Sequence, residues 1–124
     1  MKLIYLAGPL FTNTTNDWQQ RANIIKAFDA EKTILVESGG ELVCYSPHYT
    51  WYIDSGDKHR DLWLKKDEFL VQKSDAVLRL EGESKGADLE VEAAQKLSKP
   101  VFYSIDELFE HFKIKRRGEK EKNE

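Results

Sequence analysis

Strand-like and helix-like stretches alternate along the whole of this chain, and that alternation is its strongest constraint. KLIYLAG (2–8) is a short apolar run closed by Gly8-Pro9. ELVCYSP (41–47) is stopped by Pro47, DAVLRL (75–80) runs into the turn-rich EGESKG (81–86), and PVFYS (100–104) is the fourth such run. Short apolar runs of this kind read as buried strands, and the first of them as a central one. Between them lie helical patterns. From 17 to about 38, Trp18, Ala22, Ile25, Phe28 and Leu35 fall three, four or seven apart, and Gly39-Gly40 closes the helix. Strand-prone residues at 33–36 leave open a break in it. Further helices are predicted over 59–74, 87–98 and 105 to about 115, and 48–58 has no period and reads as a loop. Parallel neighbours need a crossover, so strands alternating with helices predict a parallel sheet covered on both faces. Ligands in such sheets sit beyond the carboxyl ends of the strands. Here those ends are 8–13, 46–49, 81–86 and Ser104.

The 124 residues suit one domain with a core of its own. No apolar run approaches the roughly 18–20 residues of a membrane span, and the N-terminus lacks a signal-peptide pattern. A single cysteine, Cys44, leaves no intramolecular disulfide and no cysteine-based zinc site. Together these features predict a cytoplasmic protein. With 19 basic against 22 acidic side chains, composition offers no argument for nucleic acid, and none for a membrane. The domain is placed at 1–112. The stretch 113–124 is nearly all charged and is expected to be a disordered, solvated tail, although its basic cluster at Lys113, Lys115, Arg116 and Arg117 also suits an anion.

Helix geometry exposes two carboxylates in unexpected places. Successive residues turn by about 100°, so Leu97, Ala94, Ala87, Ala93 and Gly86 all fall within about 60° of Glu90. Trp63, Leu64, Leu70 and Val71 flank Asp67 in the same way. Two consecutive helices thus each carry one acid in the core-facing stripe. Burying an ionised carboxylate costs several kcal/mol unless it is paired or faces a polar cavity. Three readings follow: acids satisfied by backbone N–H groups or by Arg60 or Arg79, acids exposed because the helix limits are misplaced, or a catalytic pair with shifted pKa values. Glycosidic cleavage with retention uses such a pair, one acid attacking the anomeric carbon and the other moving the proton.

The loop 81–86 leads from a strand into a helix N-terminus, where free N–H groups favour an anion such as phosphate. Ser84 suits either a plain cap or a phosphate contact, and Lys85 adds charge. No P-loop or GxGxxG string occurs. His48 and Tyr49 follow the second strand at the ligand edge. Tyr5, within the first strand, needs a partner for its hydroxyl if buried, and a buried glutamate would serve.

IYLAGPLFT (4–12) resembles the opening of the nucleoside 2-deoxyribosyltransferase superfamily. The stretch from Asp67 through DAVLRLEGESKGADLEVEAAQKLSKPV (75–101) resembles its later half, with Gly-x-x-x-Glu opening a helix and Lys-Pro-Val entering the next strand. The likeness covers 2–12 and 59–104 and extends to uncharacterised phage and bacterial members. It implies a flavodoxin-like α/β fold, a three-layer sandwich with a parallel sheet of four to five strands. It also implies N-glycosidic cleavage or transfer on a nucleoside or nucleoside 5′-monophosphate, without metal or organic cofactor. Glu90 matches the nucleophile, Asp67 the acid serving the leaving base, and Tyr5 the tyrosine beside the nucleophile. The position six before the nucleophile is Ser84, as in the 5′-monophosphate N-glycosidases, where the transferases on free nucleosides carry Asp. Lys85 and the N–H groups of Gly86 and Ala87 would join Ser84 at the 5′ end. Gly8 and Pro9 would let the backbone approach the base, with Phe11 and His48 as walls. Asp88 and Glu92 stand where the family favours glycine, which leaves a nucleotide-binding module without turnover as the alternative. Trp51 and Tyr52 lack an evident internal partner, so a homodimer or higher even oligomer is expected, with 48–58 at its interface; a lid over its own site is the alternative.

Overall fold

The computed structural model of the chain describes residues 1–10, 16–55 and 57–117. Its elements are β1 (Lys2–Ala7), α1 (Asp17–Glu37), β2 (Leu42–Tyr45), α2 (His48–Ile53), a 3-10 turn (Asp57–His59), α3 (Arg60–Lys73), β3 (Ala76–Arg79), α4 (Lys85–Lys96), β4 (Val101–Phe102) and α5 (Ile105–His111). The four strands form one sheet in the order β2-β1-β3-β4, and every pairing is parallel. Side chains alternate across the pleat, so β1 sends Ile4 and Leu6 to one face and Tyr5 and Ala7 to the other. Ile4 and Leu6 pack with Ile34 of α1 and with Leu108 and Phe109 of α5. Tyr5 and Ala7 pack with Val71 of α3 and with Ala87 and Ala94 of α4. This is the three-layer α/β sandwich with a central N-terminal strand that the alternation predicts.

The chain leaves β1 for β2 on one side and returns to β3 on the other. The crevice between the ends of β1 and β3 is therefore the switch point where such sheets hold ligands. Backbone meets backbone closely there. A Cβ on Gly8 would lie 2.8 Å from Leu80 Cβ, and one on Gly82, which has φ +117°, would lie 2.8 Å from Pro9 Cγ. Only glycine fits at either position without pushing the two loops apart.

Local structure differs from expectation in four places. Helix α1 continues through 33–36 without a break, ending at the capping Ser38, because Ile34 is held in the core. The stretch 48–58 is not a loop: His48–Ile53 is helical, and Asp57–His59 forms the 3-10 turn. A helix of under two turns leaves too short a pattern to be read as periodic. Helix α5 stops at His111, where Lys113 takes a left-handed conformation (φ +56°). Beyond it the chain does not fray. Ile114 packs on the core, the Arg117 N–H donates to Glu37 O at 2.8 Å, and Arg116 pairs with Glu37 and Asp106. The rest of the expected tail, 118–124, lies outside the described residues.

No helix among the described residues is long and apolar enough to cross a membrane.

Candidate functional site

Tyr5 is fully buried in β1, and its hydroxyl donates to Glu90 Oε2, which reaches it from α4. The wheel position of Glu90 is thus real: it hangs from the sheet-facing stripe, half-buried, over the end of β1. Burial pushes its carboxyl up to about 8. The Tyr5 hydrogen bond and the Arg79 charge oppose that rise, and the negative charge of Asp67 adds to it. Burial and the neighbouring carboxylates drive the Tyr5 phenol far above its ordinary value, so it keeps its proton as a donor.

Asp67, 6% exposed on α3, is the second acid. Tyr45 of β2 donates to its Oδ1 at 3.3 Å, and Trp51 Nε1 of α2 donates to its Oδ2 at 2.7 Å. Burial raises its pKa, while these two bonds and Lys66 hold it down. Register explains how the acids come together. Tyr5 and Tyr45 are paired across β1 and β2, and their rings meet with centroids 5.6 Å apart. A continuous path runs from Glu90 through Tyr5 and Tyr45 to Asp67 and Trp51.

Neither arginine donates a hydrogen bond to Glu90 or Asp67, although the Arg79 charge acts on Glu90 from a distance. Arg79 donates to Leu80 O, to Gly82 O at 2.8 Å and to Asp88 Oδ1 at 3.1 Å. It braces the β3–α4 loop. The Arg60 guanidinium lies 5.7 Å from the Trp51 ring centroid. The acids are instead satisfied by phenol and indole donors, which supply hydrogen bonds without a neutralising charge.

His48 is buried at the start of α2, with Nδ1 2.7 Å from Ser46 Oγ. Its Nε2 faces Gly8, lying 3.3 Å from where a Cβ on that residue would stand. Burial pushes its pKa down to about 4, so the ring is neutral at physiological pH. Gly8 and Pro9 close the same crevice opposite Leu80 and Gly82. Phe11 lies outside the described residues. Ser84 caps α4, accepting from the Ala87 N–H at 3.1 Å, and Lys85 and Gly86 are exposed beside it. On the outer side of this loop, Arg79, Leu80, Glu81, Gly82, Asp88 and Tyr103 line an open groove of about 550 Å³.

The site therefore gathers Tyr5, Gly8, Pro9, His48, Asp67 and Glu90 at the ends of β1 and β3, with Ser84, Lys85, Gly86 and Ala87 at the α4 N-terminus. The sequence assigns no hydrogen-bonding role to Tyr45 or Ser46, places Trp51 at an interface rather than on Asp67, and offers Arg79 as a counter-ion rather than a brace. A signal existed for Trp51, since His48 and Trp51 stand three apart as on one helical face. Trp51 and Tyr52 have internal partners after all, Asp67 and Asp17 respectively. The premise that placed 48–58 at an interface is removed by those two bonds.

Residues 2–103 match the family model of a domain of unknown function, DUF4406. The chain belongs to this family. No curated protein matches the DUF4406 chain. Among solved structures, it is similar to a 2-deoxyribosyltransferase from the psychrotolerant bacterium Bacillus psychrosaccharolyticus. Identity is 23% and the TM-score 0.59, over 80% of this chain and 69% of that one. It is also similar to a 2-deoxyribosyltransferase from Leishmania mexicana. There identity is 20% and the TM-score 0.55, over 82% of this chain and 62% of that one. The DUF4406 chain thus has the flavodoxin-like fold of the 2-deoxyribosyltransferases, as the resemblance in its first strand and later half implied.

Proposed function

We propose that this protein cleaves or transfers the N-glycosidic bond of a nucleoside or nucleoside 5′-monophosphate, with Glu90 as nucleophile. The observation that carries the proposal is the pair of hydrogen-bonded acids, Glu90 on Tyr5 and Asp67 on Tyr45 and Trp51, joined by the contact of the two tyrosine rings near the switch point of the sheet. In the ionised form, Glu90 attacks C1′ as the bond to the base breaks, giving a glycosyl ester. Asp67 delivers a proton to the departing base. Water or a second base then attacks C1′ and gives up a proton to the Asp67 carboxylate, and the Glu90 carboxylate leaves. Tyr5 keeps one carboxylate oxygen hydrogen-bonded and so fixes the direction of the other. No metal or organic cofactor enters these steps.

Gly8 and Pro9 let the base approach the backbone, with neutral His48 as one wall. The 5′ end lies at the start of α4. A hydroxyl accepts and donates at once, so Ser84 takes the Ala87 N–H and still offers its own proton to a phosphate oxygen. Lys85 and the Gly86 N–H complete that subsite. The partner is a small nucleoside or nucleotide.

The decisive experiment is incubation with a panel of nucleosides and their 5′-monophosphates, read by chromatography of free base. Base release by the wild-type protein and none by Glu90→Ala is the expected result. Equal release by both removes Glu90 from the role. Binding of a nucleotide with no release from any member of the panel would instead establish a binding module, which a Glu90 still protonated at neutral pH also suits.

A further inference from the structure

Asp67 is held by two neutral donors, one on each oxygen. Its Oδ2 accepts from Trp51 Nε1 at 2.7 Å, and its Oδ1 accepts from the Tyr45 hydroxyl at 3.3 Å. Lys66, beside it in the chain, places Nζ 5.4 Å from the Tyr45 ring centroid and 5.2 Å from that of Trp63, and acts on Asp67 only through its field. The other titratable groups coupled to it are Tyr5 of β1 and Glu90 of α4.

The two donors are chemically unequal. An indole N–H gives a hydrogen bond and can accept none, whereas a phenol does both. In a neutral carboxyl group the carbonyl oxygen is the acceptor, and the other oxygen holds the proton. The oxygen facing the indole is therefore kept as the carbonyl. The oxygen facing the phenol is free to be protonated, because the Tyr45 hydroxyl can turn from donating to accepting. Burial and the Asp67 charge keep that phenol protonated. The lengths agree, since the indole bond is short and the phenol bond long for its kind.

We propose that Trp51 is the positioning residue of Asp67: its indole N–H claims Oδ2 as the carbonyl oxygen and leaves Oδ1 to carry the acid proton. Oδ1 is also the oxygen toward the rest of the site, since the Tyr45 ring stands against Tyr5, the donor to Glu90. The consequence for catalysis rests on the reaction proposed above. The proton passes from Oδ1 to the departing base as its bond to C1′ breaks, and the proton given up by water or a second base returns to Oδ1. Polar contacts put Trp51 in place. Among the described residues, neither apolar core includes a side chain of α2. That helix is tied to α1 by Tyr52 on Asp17, at 2.6 Å, to the end of β2 by His48 on Ser46, and to α3 by Trp51 itself.

Difference infrared spectroscopy of the whole chain, acid minus neutral, tests the assignment. The C=O stretch of protonated Asp67 is the band that Asp67→Asn lacks. Trp51→Phe keeps a ring and removes the N–H, so this band is expected to move to higher frequency; in Tyr45→Phe it is expected to stay in place. Trp51 donates to the charged form, so Trp51→Phe is also expected to raise the midpoint of the band's titration by at least about one pH unit. The limb of kcat/KM that Asp67 sets is expected to move up by the same interval. Circular dichroism checks that each variant is folded. A C=O band unmoved by Trp51→Phe, a band moved by Tyr45→Phe instead, or an unchanged midpoint would each overturn the proposal. The band needs no turnover, so an absence of base release would count against the proposed reaction, while the spectrum alone decides where the proton sits.

Discussion

A carboxyl pushed up to about 8 is half-ionised at that pH, so a reaction that needs the Glu90 carboxylate accelerates as pH rises. On the proposed mechanism Glu90 must be ionised while Asp67 still carries the proton for the base, so kcat/KM for base release is expected to be bell-shaped in pH, with Glu90 ionisation setting one limb. Tyr5 donates to the charged form, so Tyr5→Phe is expected to move that limb to higher pH, whereas a merely structural tyrosine would leave it in place. Glu90→Ala is expected to end base release and leave the protein folded, since it removes a group whose charge the site disfavours. Circular dichroism beside the base-release assay checks both halves of that outcome. The two acids and Tyr5 were legible in the sequence because a helical wheel needs only the chain's own order. Tyr45 and Trp51 were not. The first is brought to the site by strand register, which no local pattern encodes, and the second by a helix of six residues.

At the scale of elements, the start of α4 joins a structural task to the proposed binding one. Ser84→Ala removes the cap on Ala87 and is expected to cost about 1 kcal/mol of stability, seen as a lower melting temperature. The same variant, and Lys85→Ala with it, is expected to erase a preference for 5′-monophosphates over nucleosides. Charge-assisted hydrogen bonds contribute roughly 1.5–3 kcal/mol, so that preference should reach at least about tenfold in the wild-type protein. Equal kcat/KM for the two substrate forms in the wild-type protein would move the proposal toward free nucleosides. The strands and long helices were legible because each carries a full period of apolar residues. Helix α2 and the return of the chain over 113–117 were not. Both are held by partners distant in sequence: Trp51 by Asp67, and Arg116 and Arg117 by Glu37. A run rich in charge looks solvated until the opposite charges that receive it are placed beside it.

For the whole molecule, two buried groups pull stability in opposite directions along the pH scale. Glu90 is raised from 4.5 to about 8, so it stabilises most below 4.5 and that contribution is lost as pH climbs to about 8. His48 is lowered from 6.5 to about 4, so its contribution is complete above 6.5 and is lost as pH falls to about 4. Between 4.5 and 6.5 the two slopes cancel. Thermal melts are expected to show a plateau there and a decline toward pH 8, which Glu90→Gln should flatten. A melting temperature still falling between pH 6.5 and 8 in that variant would assign the decline to other groups. The place of β1 bears on how the molecule is made. It is the first of the four strands and one of the two inner strands of the sheet, paired by β2 from residue 42 and by β3 from residue 76. During synthesis one of its edges therefore stays open until β2 is made and the other until β3 is made, so the sheet closes around it in two separate steps. Refolding is expected to be slower than in a helical bundle of equal length, because the first productive contact must close a loop of some forty residues.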